Sequence, residues 1–283
     1  MSGDLSGKVF IVTGANSGIG LVSATEFARR GARVVMMCRS PERGDAARRQ
    51  IVEETGGDVE LILCDFSDMA QIRSAAEAFR QTYDRLDVLL NNAGVYLPKR
   101  MTSPQGLEMT FAINHIGYFL LTQELLPLLT ATEASRVVSV TSAAHWYGSL
   151  NLDDLQFEGR AFIGQRVYGT SKLLNILFTV ELARRLEGTG TTANCVHPGL
   201  IRSGFGKDEP GIMNGLMTVI SPFIMSASWG ARGSIYLATS PAVAEVSGAY
   251  FSGKGRGLVT RGARDPETAK RLWMLSEELC ARG

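Results

Sequence analysis

A doubly wound α/β fold, with a mostly parallel sheet and helices on both faces, is what this sequence predicts, as one domain over residues 1–283. Three observations lead there. Short, β-branched apolar runs alternate with longer amphipathic segments, the pattern of βαβ units. The first run enters a glycine-rich turn and then a helical pattern. No repeat, linker or low-complexity stretch divides the chain, and 283 residues with 45% hydrophobic content can bury one full α/β core.

In chain order, KVFIVTG (Lys8–Gly14) is a short apolar run suited to a buried parallel strand. It passes into TGANSGIG (Thr13–Gly20), after which LVSATEFARRGA has helical periodicity. ARVVMMC (Ala32–Cys38) and VELILC (Val59–Cys64) are the next strands, separated by the helical RGDAARRQIVEET. DVLLNNAG (Asp87–Gly94) and SRVVSVTS (Ser135–Ser142) each follow a helix-like segment, and FAINHIGYFL between them reads as a helix. TANCVHPG (Thr192–Gly199) comes after the helical VYGTSKLLNILFTVELARRL, and VSGAYF (Val246–Phe251) is the last candidate strand.

Strand, glycine turn and helix in that order are the context of a dinucleotide-binding motif. Gly14 permits the tight turn, Gly18 lets the backbone approach a pyrophosphate, and Gly20 allows close helix–strand packing. Amides at the helix start, around Ile19, and the positive end of the helix dipole favour phosphate. The spacing is G-x-x-x-G-x-G rather than G-x-G-x-x-G. In doubly wound sheets ligands bind outside the carboxyl ends of the strands. The exits Thr13–Gly20, Cys38–Ser40, Cys64–Phe66, Asn91–Gly94, Thr141–Ala143 and His197–Gly199 are polar or glycine-rich, and together they outline one cleft.

Tyr168 and Lys172 are four residues apart on a helical run and so share one face. Tyrosine, with a pKa of about 10, is a poor acid–base group near neutrality. An ammonium within roughly 4–6 Å favours the phenolate and lowers that pKa by about 1–3. General acid–base chemistry needs that tuning. By itself the pair occurs by chance on many amphipathic helices.

Composition narrows the remaining classes. With 29 basic and 28 acidic residues the net charge is +1, and no basic tract suits nucleic acid. The start MSGDLSGK lacks the charged and apolar regions of a signal peptide. No uninterrupted apolar stretch reaches the roughly 18 residues of a membrane span. Cys38, Cys64, Cys195 and Cys280 are scattered, which fits reduced thiols. His115, His145 and His197 have no metal-ligand spacing.

TGANSGIG, Asn91-Asn92-Ala93-Gly94, Asn114, Ser142, Tyr168-x-x-x-Lys172 and Pro198-Gly199 together resemble the short-chain dehydrogenase/reductase superfamily, in order over about residues 7–260. More closely, CRSPERG, FAINHIGYFLLT, LNLDDLQ and YLATSPAVAEVSGAYF are similar to its retinol dehydrogenase-like branch. The resemblance implies a Rossmann-type sheet and an enzyme acting on CH–OH or C=O groups. Many members of the branch carry an N-terminal membrane anchor. This chain starts at its first strand, so the expectation is a soluble, cytoplasmic protein.

The resemblance also implies roles. Ser142 would hydrogen-bond the reacting oxygen and help hold alkoxide charge. Tyr168 would give a proton to a carbonyl oxygen or take one from an alcohol. Lys172 would lower the tyrosine pKa and hold the nicotinamide ribose. Asn114, mildly unfavourable inside a helix, would organise a water that relays protons to the lysine. Ser142 and Tyr168 are further apart in sequence than is commonest in the superfamily. The extra length, HWYGSLNLDDLQFEGRAFIG, is expected to form one rim of the cleft. Asp65, with Phe66 beside it, would meet the adenine, and Asn91, Ala93 and Gly94 would line the ribose side. His197, Pro198 and Gly199 would pass beneath the nicotinamide through backbone, with His197 itself a packing residue.

Cofactor choice turns on the end of the second strand. NAD specificity places an acid about 20 residues past the glycine motif, but Cys38 and then Arg39 stand there. An arginine can bind a 2′-phosphate through a charge-assisted, bidentate contact, so NADP is expected over NAD. Asn16 and Ser17 would add neutral hydrogen bonds. Residues 200–229, rich in Met, Ile and Phe and broken by glycine and Pro222, read as a lid over a hydrophobic substrate. A core helix pair, a subunit contact or a membrane-surface patch are the other readings. Trp146, Tyr147 and Phe162 on the opposite rim point to a lipophilic ketone, aldehyde or secondary alcohol, a retinoid-like one included. The alternative function is a non-catalytic NADPH-binding regulator. A homo-oligomer and a monomer both remain open.

Overall fold

The computed structural model describes residues 4–199 and 226–282. β1 (Val9–Thr13) leads through the glycine turn into α1 (Gly18–Arg29), and β2 (Arg33–Cys38) into α2 (Pro41–Thr55). β3 (Val59–Leu63), α3 (Met69–Thr82) and β4 (Val88–Asn91) follow. α4 (Met109–Phe111) runs through a π-helical turn, Ala112–Ile116, into α5 (Gly117–Ala131). Then come β5 (Arg136–Val140), a 3₁₀ turn over Ala143–Tyr147, α6 (Gly164–Arg185) and β6 (Thr192–His197). α7 (Ala227–Thr239), β7 (Ala249–Ser252), β8 (Gly255–Arg256) and α8 (Pro266–Arg282) complete the described chain.

The strands form one sheet in the order β3-β2-β1-β4-β5-β6-β7-β8. All pairings are parallel except the antiparallel β7–β8 edge. β1 and β4 are buried at every residue, which is why they read as unbroken apolar runs rather than alternating ones. Helices cover both faces. Phe27 of α1, Ile51 of α2 and Leu237 of α7 pack on one side. Phe79 of α3, Phe119 of α5, Phe178 of α6 and Trp273 of α8 pack on the other.

Local signals set several helix ends. Pro41 opens α2 behind Ser40, whose hydroxyl accepts from Arg43 N, and Gly56 closes it with φ 65°. Glu108, fully buried, accepts from the amides of Thr110 (2.9 Å) and Phe111 (2.7 Å) and so starts the helix that carries Asn114. β8 and α8 lie beyond the expected elements. β8 is too short to leave a pattern, whereas α8 buries Ala269, Leu272, Trp273, Ser276 and Cys280 at helical spacing. Most of the expected lid, residues 200–225, lies outside the described residues. Trp229 belongs to α7. Among the described residues no helix is long and apolar enough to cross a membrane.

Candidate active site

The glycine turn makes an open cradle at the carboxyl edge of β1. Gly14 adopts φ +63°, and a Cβ there would lie 2.9 Å from Ala93 Cα. A Cβ on Gly20 would run into Gly14 O and lie 2.6 Å from Asn92 Nδ2, so the start of α1 sits directly on the turn. Gly18, at φ +56°, has nothing within 4 Å of where its Cβ would be. Ser17 begins α1 without a side-chain cap, while Asn16 and Ile19 are half-buried beside it. Uncapped first-turn amides facing open space are suited to an anion such as a pyrophosphate.

Asn92, part of the sequence motif but without an expected role of its own, clamps this turn. Its Nδ2 donates to Thr13 O (2.8 Å) and Gly14 O (3.3 Å). In return the Thr13 hydroxyl accepts from Asn92 N (2.8 Å) and Ala93 N (2.9 Å). The signal was present in the doubled asparagine at the β4 exit. Asn91 turns the other way: fully buried, it donates to Thr122 Oγ1 (3.1 Å) on α5, so it does not line the cleft with its side chain. Phe66 is likewise committed to the core, its ring against Gly117.

At the end of β2 stands buried Cys38, its thiol pushed up to about 11 by burial. Arg39 projects outward with 63% of its side chain exposed, and its guanidinium is 3.9 Å from Asp65 Oδ2. Asp65 Oδ1 accepts from the Ser67 amide (2.9 Å) and hydroxyl (2.8 Å).

The β4 exit joins this cradle to the chemical groups. A Cβ on Gly94 would lie 3.2 Å from Asn114 Oδ1 and 3.6 Å from Lys172 Nζ. Asn114 sits in the π turn, where one extra residue per turn re-aims side chains. Its Oδ1 accepts from Val95 N (2.8 Å), and its Nδ2 donates to Val95 O (2.9 Å) and Ser171 Oγ (3.0 Å). The amide therefore pins the Gly94–Val95 segment to α6. Tyr96, also not foreseen, places its ring edge-on to Tyr168 with centroids 6.1 Å apart.

Ser142 caps the 3₁₀ turn, its hydroxyl accepting from Ala144 N (3.1 Å) and sharing a hydrogen bond with the Tyr168 side chain. Lys172, buried, donates from Nζ to Val140 O (3.1 Å) and lies 5.5 Å from the centroid of the Tyr168 ring. The titration behaviour differs from expectation. Tyr168 is pushed up to about 12 by burial, which outweighs the lowering by Ser142. Lys172 is pushed down to about 7, again by burial. Desolvation disfavours the charged form of each group, so removing both from water overrides the benefit expected from their proximity.

His197 Nδ1 accepts from Ala143 N (3.1 Å), holding the turn after Ser142, and burial with His145 nearby pushes its pKa down to about 4. This is the packing role expected of it. Pro198 is buried and Gly199 has φ +92°. The insert ahead of Tyr168 is a packed loop. Arg160 donates to Ser149 O (2.8 Å) and Asp154 O (2.9 Å), and its guanidinium lies 3.8 Å from the Phe157 ring. Beside the site, Trp146 (53%), Tyr147 (70%) and Ile163 (46%) are exposed. A cavity of about 730 Å³ between α1 and α7, lined by Leu21, Arg29, Arg232 and Lys254 among others, holds none of the groups described above.

Comparison with known proteins follows the same lines. A family model described as short chain dehydrogenase matches residues 8–210. Retinol dehydrogenase 12 of Mus musculus is 42% identical over 276 residues, covering 97% of this chain and 87% of that protein. A crystal structure of an uncharacterized protein from Mycobacterium paratuberculosis superposes with a TM-score of 0.81 at 34% identity, covering 99% and 96% of the two chains. The RhlG/NADP active-site complex of Pseudomonas aeruginosa has a TM-score of 0.71 at 26% identity, covering 88% and 95%.

Proposed function

Because the chain belongs to the short chain dehydrogenase family, on its retinol dehydrogenase-like branch, we propose that it is an NADP-dependent oxidoreductase. It moves hydride between the nicotinamide and the carbonyl or alcohol carbon of a lipophilic substrate. One observation carries this reading: the Tyr168 phenol meets the Ser142 hydroxyl, and Lys172 and Gly94 connect that pair to the glycine cradle.

Nicotinamide, when bound, supplies or accepts the hydride. The protein's part is to polarise and to handle the proton. Tyr168, held neutral by burial, gives its proton to a carbonyl oxygen during reduction. Ser142 donates to the same oxygen and stabilises the charge that develops there. Lys172, with a pKa near neutrality, can replace the proton and would hold the ribose hydroxyls of the cofactor. Asn114 keeps the Gly94–Val95 segment against Lys172. Gly14, Asn16, Ser17, Gly18, Ile19 and Gly20 would hold the pyrophosphate, with Asp65, Ala93, Gly94, Pro198 and Gly199 along the rest of the cofactor.

The NADP preference is supported by Arg39, whose exposed guanidinium stands where an acid would repel a 2′-phosphate. It is supported also by the NADP in the Pseudomonas structure. A lipophilic substrate, retinoids included, is supported by exposed Trp146, Tyr147 and Ile163 and by the relative's name. Four buried, unpaired cysteines support a reducing, cytoplasmic setting.

The test follows NADPH absorbance against ketones, aldehydes and alcohols graded by size and polarity. Apolar members should turn over fastest. Tyr168→Phe should bind NADPH normally and lose about 10²–10⁴-fold in kcat. A variant with full turnover would refute the assignment, and a wild type inert toward the whole panel would favour a binding regulator.

A further inference from the structure

Two glycines near the site need no glycine conformation. Gly148 has φ −61° and ψ 142°, and Gly169 lies inside α6 without a positive φ. Alanine suits both conformations, and inside a helix it is the better residue. What both positions lack is room. A Cβ on Gly169 would run into Ala144 O and lie 3.0 Å from Gly148 N. A Cβ on Gly148 would lie 2.9 Å from Gly169 O and 3.0 Å from Gly169 C. The atoms struck are backbone on both sides, so no side-chain rotation relieves the overlap.

The seam joins the two halves of the chemistry. Gly169 immediately follows Tyr168, and the Ala144 carbonyl it faces belongs to the 3₁₀ turn that Ser142 opens. Ala144 also donates its N–H to the Ser142 hydroxyl (3.1 Å). One residue thus touches α6 through its carbonyl and steers Ser142 through its amide. Ser149 N donates to Thr170 Oγ1 (3.0 Å) and closes the same contact one step further on.

We propose that Gly148 and Gly169 are positioning residues: their backbone-to-backbone contact sets the Ser142–Tyr168 separation. The proposal deepens the oxidoreductase reading above and rests on it. A methyl group on either side wedges the 3₁₀ turn away from α6, and Ser142 leaves the phenol. The glycine cradle is held separately by Asn92 and Thr13, and Lys172 by its bond to Val140 O, so both keep their geometry.

Gly148→Ala and Gly169→Ala test the seam, the first with the smaller overlap and so the safer fold. Each should lose about 10²-fold in kcat with an unchanged dissociation constant for NADPH. The Tyr168 limb of the kcat–pH profile should move to higher pH, because the lowering by Ser142 is lost. In a Ser142→Ala background Gly148→Ala should have no further effect on kcat. Unchanged kcat beside an active wild type would overturn the seam while leaving the oxidoreductase reading intact. A crystal structure of Gly148→Ala decides the matter without turnover: Ser142 Oγ and Tyr168 Oη should separate beyond hydrogen-bond distance, and an unmoved pair overturns the proposal.

Discussion

Replacing Lys172 with methionine should make the protein more stable at pH 6 while removing turnover. Lys172 is 3% exposed, and burial lowers its pKa from 10.5 to about 7. The unfolded chain keeps this proton up to about pH 10.5, the folded chain only up to about 7. Between those values the unfolded state binds more protons, so stability falls as pH drops from 10.5 toward 7 and then levels off. At about 1.36 kcal/mol per pH unit, the penalty is roughly 5 kcal/mol below pH 7 and roughly 2 kcal/mol at pH 9. Methionine has similar length and no charge to desolvate. It gives up the bond to Val140 O, about 1–3 kcal/mol for such a donor, and that loss enters at both pH values. The variant's advantage over wild type should therefore be about 2–3 kcal/mol larger at pH 6 than at pH 9. Urea unfolding followed by tryptophan fluorescence at the two pH values measures it. An equal difference at both would show that Lys172 carries no burial penalty and would refute the reasoning.

Two further substitutions probe the cofactor side. Arg39→Ala should weaken NADPH binding about 10–100-fold, the equivalent of one lost charge-assisted contact, and leave NADH binding as it was. Titration calorimetry with both cofactors checks this, and a parallel loss for the two would remove Arg39 from the 2′-phosphate. Asn92→Ala should cost about 1–3 kcal/mol of stability by leaving Thr13 O and Gly14 O without their shared donor. Both cofactors should bind more weakly, and unaltered affinity with reduced stability would limit the clamp to folding.

Much of this molecule is legible in linear order. Parallel strands buried on both faces are largely apolar, so β1, β2, β4 and β5 stand out as runs rich in Val, Ile, Leu and Met. The glycine turn between a strand and a helix has few other uses, and there Gly14 takes a positive φ while Gly20 packs directly on the turn. Tyr168 and Lys172 share a face because helix geometry demands it. The π turn at Asn114 escapes notice, since a single widened turn within FAINHIGYFL leaves the apolar pattern almost unchanged.

Other properties depend on residues far apart in the chain. Asn92 finds Thr13 across 79 positions, and Gly148 meets Gly169 through backbone that no propensity marks. The phenol and ammonium are the sharpest case. Their spacing argued for an acidified tyrosine, yet the protein holds Tyr168 near 12 and Lys172 near 7. Periodicity and turn chemistry are local, so a chain displays its elements and their order in its own letters. Desolvation and contact arise from how those elements pack, and they set the protonation and spacing of Ser142, Tyr168 and Lys172.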